Sequence, residues 1–130
     1  MALKYKEMKN KVEIEDFHVC DGGCRLGNKR WDNGTLFNAA KGIEPYDMQI
    51  SAIDLESAPW NIDSFYYFLY HSKRVLEADM SYPIIQMPTG YIIDGWHRLA
   101  KAILNGDETI KCIRLKTMPE PDEIENESKG

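Results

Sequence analysis

The sequence predicts an α+β protein in which helices pack on a small mixed β-sheet, preceded by an irregular N-terminal arm. Segments with apolar residues at alternate positions, which predict strands, are interleaved with segments whose apolar residues recur at helical spacing. The chain has 130 residues, 43% of them hydrophobic and 28% charged, which is enough to form one core without disulfide bonds. We divide it into an arm with a glycine-rich loop at residues 1–47, a sheet-and-helix domain at 48–117 and an acidic flexible tail at 118–130.

The arm contains little regular pattern. Lys11 to Val19 predicts a short strand or an irregular segment, and Cys20 to Gly34 predicts a loop because its glycines and asparagines tolerate positive φ angles. Leu36 to Lys41 predicts a single helical turn, which Gly42 ends. The sequence leaves open whether the arm folds onto the domain or against a partner protein.

The domain begins with a strand and a helix. Met48 to Leu55 alternates with apolar residues on both faces, which predicts a strand that is covered on both sides. Ile62 to Asp79 has helical spacing, with Asn61 as the N-cap. The aromatic run from Phe65 to Tyr70 is wider than one face needs, and we interpret it as a broad core stripe in preference to a platform for nucleobases.

The second half of the domain predicts a hairpin, a helix and a closing strand. Tyr82 to Met87 and Tyr91 to Asp94 flank a Pro-Thr-Gly turn and predict the hairpin. The helix extends from Trp96 to Leu104, where Asn-Gly follows as a stop signal. Thr109 to Leu115 predicts the last strand, and the acidic, proline-punctuated sequence from Met118 onward predicts a mobile tail.

Composition and charge exclude several classes of protein. The net charge of −5 argues against broad nonspecific binding to nucleic acid, although a local basic patch is compatible with it. No apolar run approaches the roughly 18 residues of a membrane helix, and no apolar segment follows the N-terminal lysines as in a secretory signal. Three cysteines, an odd number, do not form a disulfide framework, so we expect a cytoplasmic protein.

The turn between the hairpin and the second helix is the strongest candidate site. Gly95 lets the backbone approach a ligand closely, and the amides after it belong to a helix N-terminus, which attracts anions. His97 and Arg98 place basic side chains in that first turn, and Lys101 lies one turn further on the same face as Arg98. Asp94 precedes the glycine, where a carboxylate is able to hold magnesium, orient His97 or cap the helix.

An ordinary structural role for these residues is equally compatible with the sequence. Asp94 would then be the helix N-cap, Arg98 would pair with a carboxylate of the tail, and His97 would be a solvated polar residue. Physical reasoning from the sequence does not separate the two interpretations.

Four segments in a fixed order resemble one protein superfamily. They are Ile50-Ser51-Ala52-Ile53-Asp54-Leu55, Tyr82-Pro83-Ile84-Ile85-Gln86, Tyr91-Ile92-Ile93-Asp94-Gly95-Trp96-His97-Arg98-Leu99-Ala100-Lys101-Ala102 and Thr109-Ile110-Lys111-Cys112-Ile113-Arg114-Leu115. Their order and spacing resemble the N-terminal domain of the ParB/sulfiredoxin superfamily. The resemblance extends from Met48 to Leu115 and implies the fold of that domain for this part of the chain.

Members of the superfamily bind nucleotide phosphates at the turn that resembles Gly95-Trp96-His97-Arg98. The resemblance therefore implies that Gly95, His97 and Arg98 hold the phosphates of a nucleoside triphosphate such as ATP or CTP. We include Trp96, within the same turn, and Lys101, on the face of Arg98, among the candidate nucleotide-binding residues. Trp96 stands where sulfiredoxins have their catalytic cysteine and ParB proteins have an acidic residue. Sulfinic-acid repair is therefore not expected, and a nucleotide hydrolysis of the ParB type would lack the acidic residue found there in ParB proteins. Without a following helix-turn-helix domain we do not expect centromere binding.

Some members of the superfamily are small-molecule kinases or are described as nucleases, which implies magnesium-dependent phosphoryl transfer or hydrolysis. The catalytic candidates are then Asp94, which would also be the metal ligand, His97 and Glu56, with Asp54 in the same region as Glu56. The alternative for Glu56 is a solvated loop carboxylate.

A zinc site is not expected. His18, Cys20 and Cys24 lie close together, but structural zinc sites normally have two spaced pairs of ligands and this segment has one cysteine pair. Cys112 fits a buried thiol on the last strand. The segment from Asp21 to Trp31 suits a lid over the site, a phosphate-contacting arm or a loop that wraps the sheet.

The expected function is binding of a nucleotide or phosphate by a ParB-like protein. Its enzymatic form would be magnesium-dependent phosphoryl transfer, or hydrolysis of a nucleotide or nucleic acid. The alternative is a noncatalytic module that binds DNA, or that binds a protein partner through the N-terminal arm as an adaptor or inhibitor. The sequence leaves the substrate and the oligomeric state open.

Overall fold

A computed structural model describes residues 11–18 and 22–126, and it confirms the predicted α+β class. The described residues form two small sheets and three α-helices. The elements in chain order are β1 (Gly23–Leu26), β2 (Lys29–Asp32), α1 (Asn33–Ala40), β3 (Tyr46–Gln49), α2 (Phe65–Glu77), β4 (Ile84–Gln86), β5 (Ile92–Asp94), α3 (Trp96–Leu104), β6 (Thr109–Arg114) and β7 (Glu123–Ile124).

The larger sheet is mixed and has four strands in the order β3-β6-β4-β5. β4 and β6 pair in parallel, whereas β3 with β6 and β4 with β5 pair in antiparallel fashion. The adjacent isoleucines of β4, and likewise those of β5, point to opposite faces of the sheet, as the strand period requires. Ile84 and Ile92 therefore join one buried cluster, and Ile85 and Ile93 join another on the opposite face.

Each face of this sheet is covered by a helix. On one face Leu99 and Ala102 of α3 pack with Cys112, which is fully buried as predicted. On the other face Leu36 of α1 and Trp31 of β2 form the core. Burying a leucine or tryptophan side chain contributes roughly 2–3 kcal/mol, so both layers stabilise the sheet that carries β5 and the turn after it.

The glycine-rich segment differs from the predicted loop, because its described part forms the β1–β2 hairpin. The hairpin turns at Gly27, whose φ of 61° suits glycine. The single helical turn expected at residues 36–41 is part of a longer helix that begins at Asn33. The prediction failed because glycine and asparagine density marks a turn without showing that paired strands flank it.

The acidic tail also differs from its prediction as a mobile segment. β7 pairs with β2 to complete a three-stranded antiparallel sheet in the order β1-β2-β7. Arg30 bonds to Glu123 at 2.9 Å, and the indole nitrogen of Trp31 donates to the carbonyl of Pro119 at 2.8 Å. Asp122 accepts from the amide of Asp32 at 2.8 Å. The described carboxylates of the tail, Asp122 and Glu123, thus have specific amide and basic partners.

The first predicted strand and helix are shorter than expected. β3 ends at Gln49 and a 3-10 turn follows, so the alternation that extended to Leu55 does not correspond to a strand there. α2 begins after Ser64, whose hydroxyl accepts from the amide of Tyr67 at 3.2 Å, and Asn61 is not its cap. The predicted core stripe is wrong for this helix, because Phe65 is 73% exposed and no residue of α2 is buried.

The described part of the N-terminal arm lies on α2. The ammonium of Lys73 bonds to the carbonyl of Ile14 at 2.7 Å and to the carboxylate of Asp16 at 2.6 Å. The guanidinium of Arg74 lies 3.5 Å from the centre of the Phe17 ring. These contacts bring the arm to one side of the candidate site. Within the residues described, no helix has the length and apolar character needed to cross a lipid bilayer.

Candidate functional site

The site is organised around the first turn of α3. Gly95 is the N-cap with a φ of 102°, a left-handed conformation, and no side chain caps the helix. Asp94 is therefore not the N-cap. The amide of Leu99 bonds to the carbonyl of Gly95, and no described residue accepts from the amides of Trp96, His97 or Arg98. These amides are the orphan donors of a helix N-terminus, with the positive end of the helix dipole behind them.

Both the limited space around residue 95 and its backbone conformation require a glycine there. A Cβ atom built at this position would lie 2.5 Å from Cγ2 and 2.8 Å from Cβ of Ile84, and 3.0 Å from Nη2 of Arg98. The backbone of the turn therefore packs directly on β4. This close approach fixes the turn against the sheet.

Asp94 and Arg98 form an ion pair within the turn. The Nη2 atom of Arg98 lies 2.8 Å from Oδ2 of Asp94 and also donates to the carbonyl of Pro83 at 3.2 Å. Both side chains are less than one-fifth exposed. The buried Nε of Arg98 has no acceptor among the described residues. Arg98, in the first turn of α3, thus pairs with Asp94 at the end of β5 and not with a carboxylate of the tail.

The turn opens into a cleft of about 620 Å³ between α2, β1, β5 and the start of α3. Residues 92–98 line the cleft, and so do the arm residues Glu15, Asp16 and Phe17, which lie beside α2. The cleft also contains four cationic side chains: Arg25, Lys73, Arg74 and Arg98. Its volume lies within the usual range of small-molecule sites, roughly 300–1,000 Å³.

Arg74 is the residue of this cleft that the sequence did not reveal. It comes from the last turn of α2, and its guanidinium lies between the rings of Phe17 at 3.5 Å and Tyr70 at 5.8 Å. Among the described residues no carboxylate lies within ion-pair distance of it. Burial lowers the pKa of Arg74, which nonetheless stays charged at neutral pH. A basic residue near a helix C-terminus normally complements the dipole, so nothing in its spacing pointed to a site.

His97 is enclosed by neighbouring rings. It is therefore not the solvated polar residue that an ordinary structural role would make it. Its Nε2 lies 2.9 Å from Nδ1 of His71, and its ring stacks on Trp60 with centroids 4.3 Å apart. Burial, reinforced by the charge of Arg74, lowers the pKa of His97 to about 3. The imidazole is therefore neutral at pH 7, and the positive charge of the turn comes from Arg98 and the helix dipole.

The low pKa of His97 predicts that the free energy of unfolding rises with pH between about 3 and 6.5. In that interval the unfolded chain holds a proton on His97 and the folded chain does not, so stability is lost as the pH falls below 6.5. One such proton gives a slope of about 1.4 kcal/mol per pH unit. Urea unfolding across this pH range should show a shallower slope for His97→Phe, which retains a ring against Trp60. The exposed His18 provides the matched variant, His18→Gln, and an equal flattening there would contradict the assignment.

Three other predicted site residues have different surroundings. Trp96 lines the cleft, and its indole donates to the carbonyl of Ile92 at 3.1 Å. The ammonium of Lys101 bonds to the carbonyls of Leu76 and Ala78 at 2.9 and 3.1 Å, at the C-terminal end of α2 and outside the cleft lining. Glu56 is exposed and also lies outside that lining. The structure therefore does not bring Lys101 or Glu56 to the turn.

The predicted cysteine and histidine cluster is only partly described. Cys20 lies outside the described residues, Cys24 lines the cleft, and His18 is exposed. Burial, together with the charge of Asp94, raises the pKa of the Cys24 thiol, which favours its protonated form. Across residues 11–18 and 22–126 no three histidine, cysteine or acidic side chains converge as a metal site requires.

Comparison with models of protein families, with curated proteins and with solved structures finds no match for this chain.

Proposed function

We propose that the protein binds the phosphate groups of a nucleoside triphosphate, ATP or CTP, in the cleft at the start of α3. One observation supports this most strongly: the uncapped N-terminus of α3 and two arginines, Arg74 and Arg98, face the same cleft. Three backbone amides without acceptors, a helix dipole and two guanidinium groups are complementary to a phosphate. The resemblance of Gly95-Trp96-His97-Arg98 to the ParB/sulfiredoxin turn supports the same ligand.

The cleft lining contains five carboxylates, Glu15, Asp16, Glu77, Asp79 and Asp94, beside its four cationic side chains, so the attraction for an anion would be local to Arg74 and the turn. Asp94 balances Arg98, but no described carboxylate pairs with Arg74, which is half-buried against aromatic rings. The rings of Phe17 and Tyr70 and the charge of Asp94 compensate the guanidinium only in part, and a phosphate would add a full opposite charge and further acceptors. Aromatic side chains in the same cleft, Trp60, Tyr82 and Tyr91, offer surfaces for the remainder of a nucleotide.

Asp94 is the residue that would hold a magnesium ion arriving with the nucleotide. Magnesium commonly binds through one or two carboxylates and the substrate phosphates. One oxygen of Asp94 accepts from Arg98, and the other has no partner among the described residues, which fits this role. The ion would neutralise phosphate charge, and Asp94 would orient it next to the turn.

Phosphoryl transfer or hydrolysis is the enzymatic extension of this proposal. His97 lines the cleft as a neutral imidazole, the form that accepts a proton. Its low pKa makes it a weak base, and a bound phosphate would raise that pKa. We place this activity in the cytoplasm, because three cysteines without a disulfide framework suit a reducing compartment.

A noncatalytic interaction module is the second candidate, favoured by the exposed aromatic residues of α2. Phe65 and Phe68 are 73% and 52% exposed, and their rings stack with centroids 6.3 Å apart. Such a surface suits a partner protein or unstacked bases of DNA. Binding to single-stranded DNA that declines steeply with salt and is lost in Phe68→Ala would favour this candidate.

Calorimetric titration with ATP and with CTP tests the main proposal. We expect Arg74→Gln to weaken binding about 10- to 100-fold, because a charge-assisted hydrogen bond contributes roughly 1.5–3 kcal/mol. Each titration is performed with magnesium and with EDTA, which shows whether Asp94 contributes through an ion. Lys101→Met is the matched control, since it removes one positive charge outside the cleft and should retain wild-type affinity.

Two outcomes would contradict the proposal in different ways. If neither nucleotide binds to the wild-type protein, nucleotide binding is wrong. If a nucleotide binds equally well to Arg74→Gln and to the wild type but poorly to Lys101→Met, the ligand lies elsewhere on α3.

A further inference from the structure

A hydrogen bond joins two histidines from different helices, one that lines the cleft and one that lies outside it. His97 lies in the first turn of α3 and lines the cleft, whereas His71 belongs to α2 and lies outside the cleft lining. The Nε2 atom of His97 and the Nδ1 atom of His71 are 2.9 Å apart. The ring planes differ by 6°, and the centroids are 5.1 Å apart. The short nitrogen distance combined with the longer centroid distance places the rings edge to edge.

Trp60 covers both rings with one indole. Its centroid lies 4.3 Å from that of His97 and 4.8 Å from that of His71, with interplanar angles of 21° and 17°. Tyr70 contacts His71 from the side, edge to face, at 5.2 Å. The stacking holds the two imidazoles close to one plane, which is the arrangement in which a hydrogen bond between ring nitrogens is strongest.

The charged groups around the pair favour neutral rings. Arg74 of α2 acts on both histidines, and Arg98 of α3 acts on His97. The nearest carboxylate of the turn, Asp94, is paired with Arg98. Burial also lowers the pKa of His71, as it does for His97. Both rings are therefore neutral at pH 7, and each has one N–H group and one nitrogen lone pair in the ring plane.

A hydrogen bond between two neutral imidazoles restricts their tautomers together. If Nε2 of His97 donates, then Nδ1 of His71 accepts, and both rings carry their proton on Nε2. If Nδ1 of His71 donates instead, both rings carry their proton on Nδ1. In the first arrangement Nδ1 of His97 is a free acceptor, and no described residue donates to it.

We propose that His97 and His71 form a proton relay that removes a proton from a hydroxyl group or water molecule bound in the cleft. Nδ1 of His97 takes the proton as the O–H bond breaks, and the proton on Nε2 of His97 passes to Nδ1 of His71. Nε2 of His71 then releases its proton to water. One proton enters and one leaves, and both rings end as the Nδ1-protonated tautomer. A second proton transfer in the reverse direction restores the starting tautomers.

The relay gives His71 a role that reaches beyond phosphate binding. It allows His97 to act as a base although its own pKa is low, because the proton does not remain on that ring. His71 acts through His97 and is therefore a positioning residue, with Trp60 holding both. The relay is independent of the identity of the ligand, so a failure to bind ATP or CTP would leave it unaffected.

Nitrogen NMR of the ligand-free protein with ¹⁵N-labelled histidine tests the relay directly. We expect a scalar coupling between Nε2 of His97 and Nδ1 of His71, and the same tautomer in both rings. On acidification the first proton taken up should shift the nitrogen resonances of both rings at one midpoint, because coupled sites titrate as a pair. His71→Phe, which retains a ring under Trp60, should abolish the coupling and leave His97 to titrate alone.

The opposite results would overturn the relay. Opposite tautomers in the two rings are incompatible with a hydrogen bond between these nitrogens. A first protonation step that moves the resonances of only one ring would show that the proton is not shared. If His71→Phe fails to fold, the coupling and the tautomers of the wild-type protein still decide the matter.

Discussion

Replacing Gly95 with alanine is expected to lower the free energy of unfolding by about 2–5 kcal/mol. Two costs contribute to this value. A φ of 102° is strained for any residue with a Cβ atom, and the new methyl group would meet Cγ2 of Ile84 at 2.5 Å. Ile84 is fully buried in the central strand β4, so it has little room to move. Urea unfolding followed by circular dichroism measures the change, and nucleotide binding by the folded fraction should weaken as the turn shifts.

Gly106 provides the matched control. It has a φ of 81°, and no atom lies within 4 Å of a Cβ built there. Gly106→Ala therefore carries the cost of the backbone conformation without the collision, about 1 kcal/mol. Equal losses of stability in the two variants would show that the turn does not pack against β4 as described.

Replacing Arg98 with methionine is expected to destabilise the protein by about 3 kcal/mol, because it leaves the carboxylate of Asp94 without its partner. Both side chains of the pair are less than one-fifth exposed, so water compensates poorly for the missing guanidinium. The substitution also removes the bond to the carbonyl of Pro83. Urea unfolding at pH 7 gives the loss of stability.

The double variant Asp94→Asn with Arg98→Met separates pairing from packing. It removes both charges, so it should recover part of the stability that Arg98→Met loses. Nucleotide affinity should not recover with it, since the guanidinium is absent from the cleft. A double variant that is less stable than Arg98→Met alone would show that Asp94 is not the main partner of Arg98.

The parts of the fold that the sequence predicted correctly are those with local signals. The hairpin of β4 and β5 and the helix from Trp96 to Leu104 appear at the expected positions, because a Pro-Thr-Gly turn, Gly95 and Asn-Gly mark their ends. The second sheet was missed because β7 has two residues and pairs with a strand 93 positions earlier. No local pattern reports a contact between such distant segments.

The residues of the site also divide into those with a local sequence signal and those that distant segments contribute. Gly95, His97 and Arg98 were identified because they are contiguous with the helix start, but the pairing of Arg98 with Asp94, in place of a tail carboxylate, was not predicted. Arg74 and His71 reach the site from another helix. Only the packing of α2 against α3 brings them there, and periodicity carries no information about which helices become neighbours. Lys101 was expected beside Arg98 on one helix face, but its ammonium group donates to the carbonyl of Leu76 at the end of α2.

The pairing of β7 with β2 has a consequence for protein synthesis. Arg30 and Glu123 are 93 residues apart, and a ribosome adds roughly 5–20 residues per second. For about 5–20 s after β2 leaves the ribosome, its outer edge has no strand to cover it. An uncovered strand edge is a template for association with other chains. Slower elongation would lengthen that interval, so expression at reduced translation speed should increase aggregation of the nascent protein unless a chaperone shields the β1–β2 hairpin.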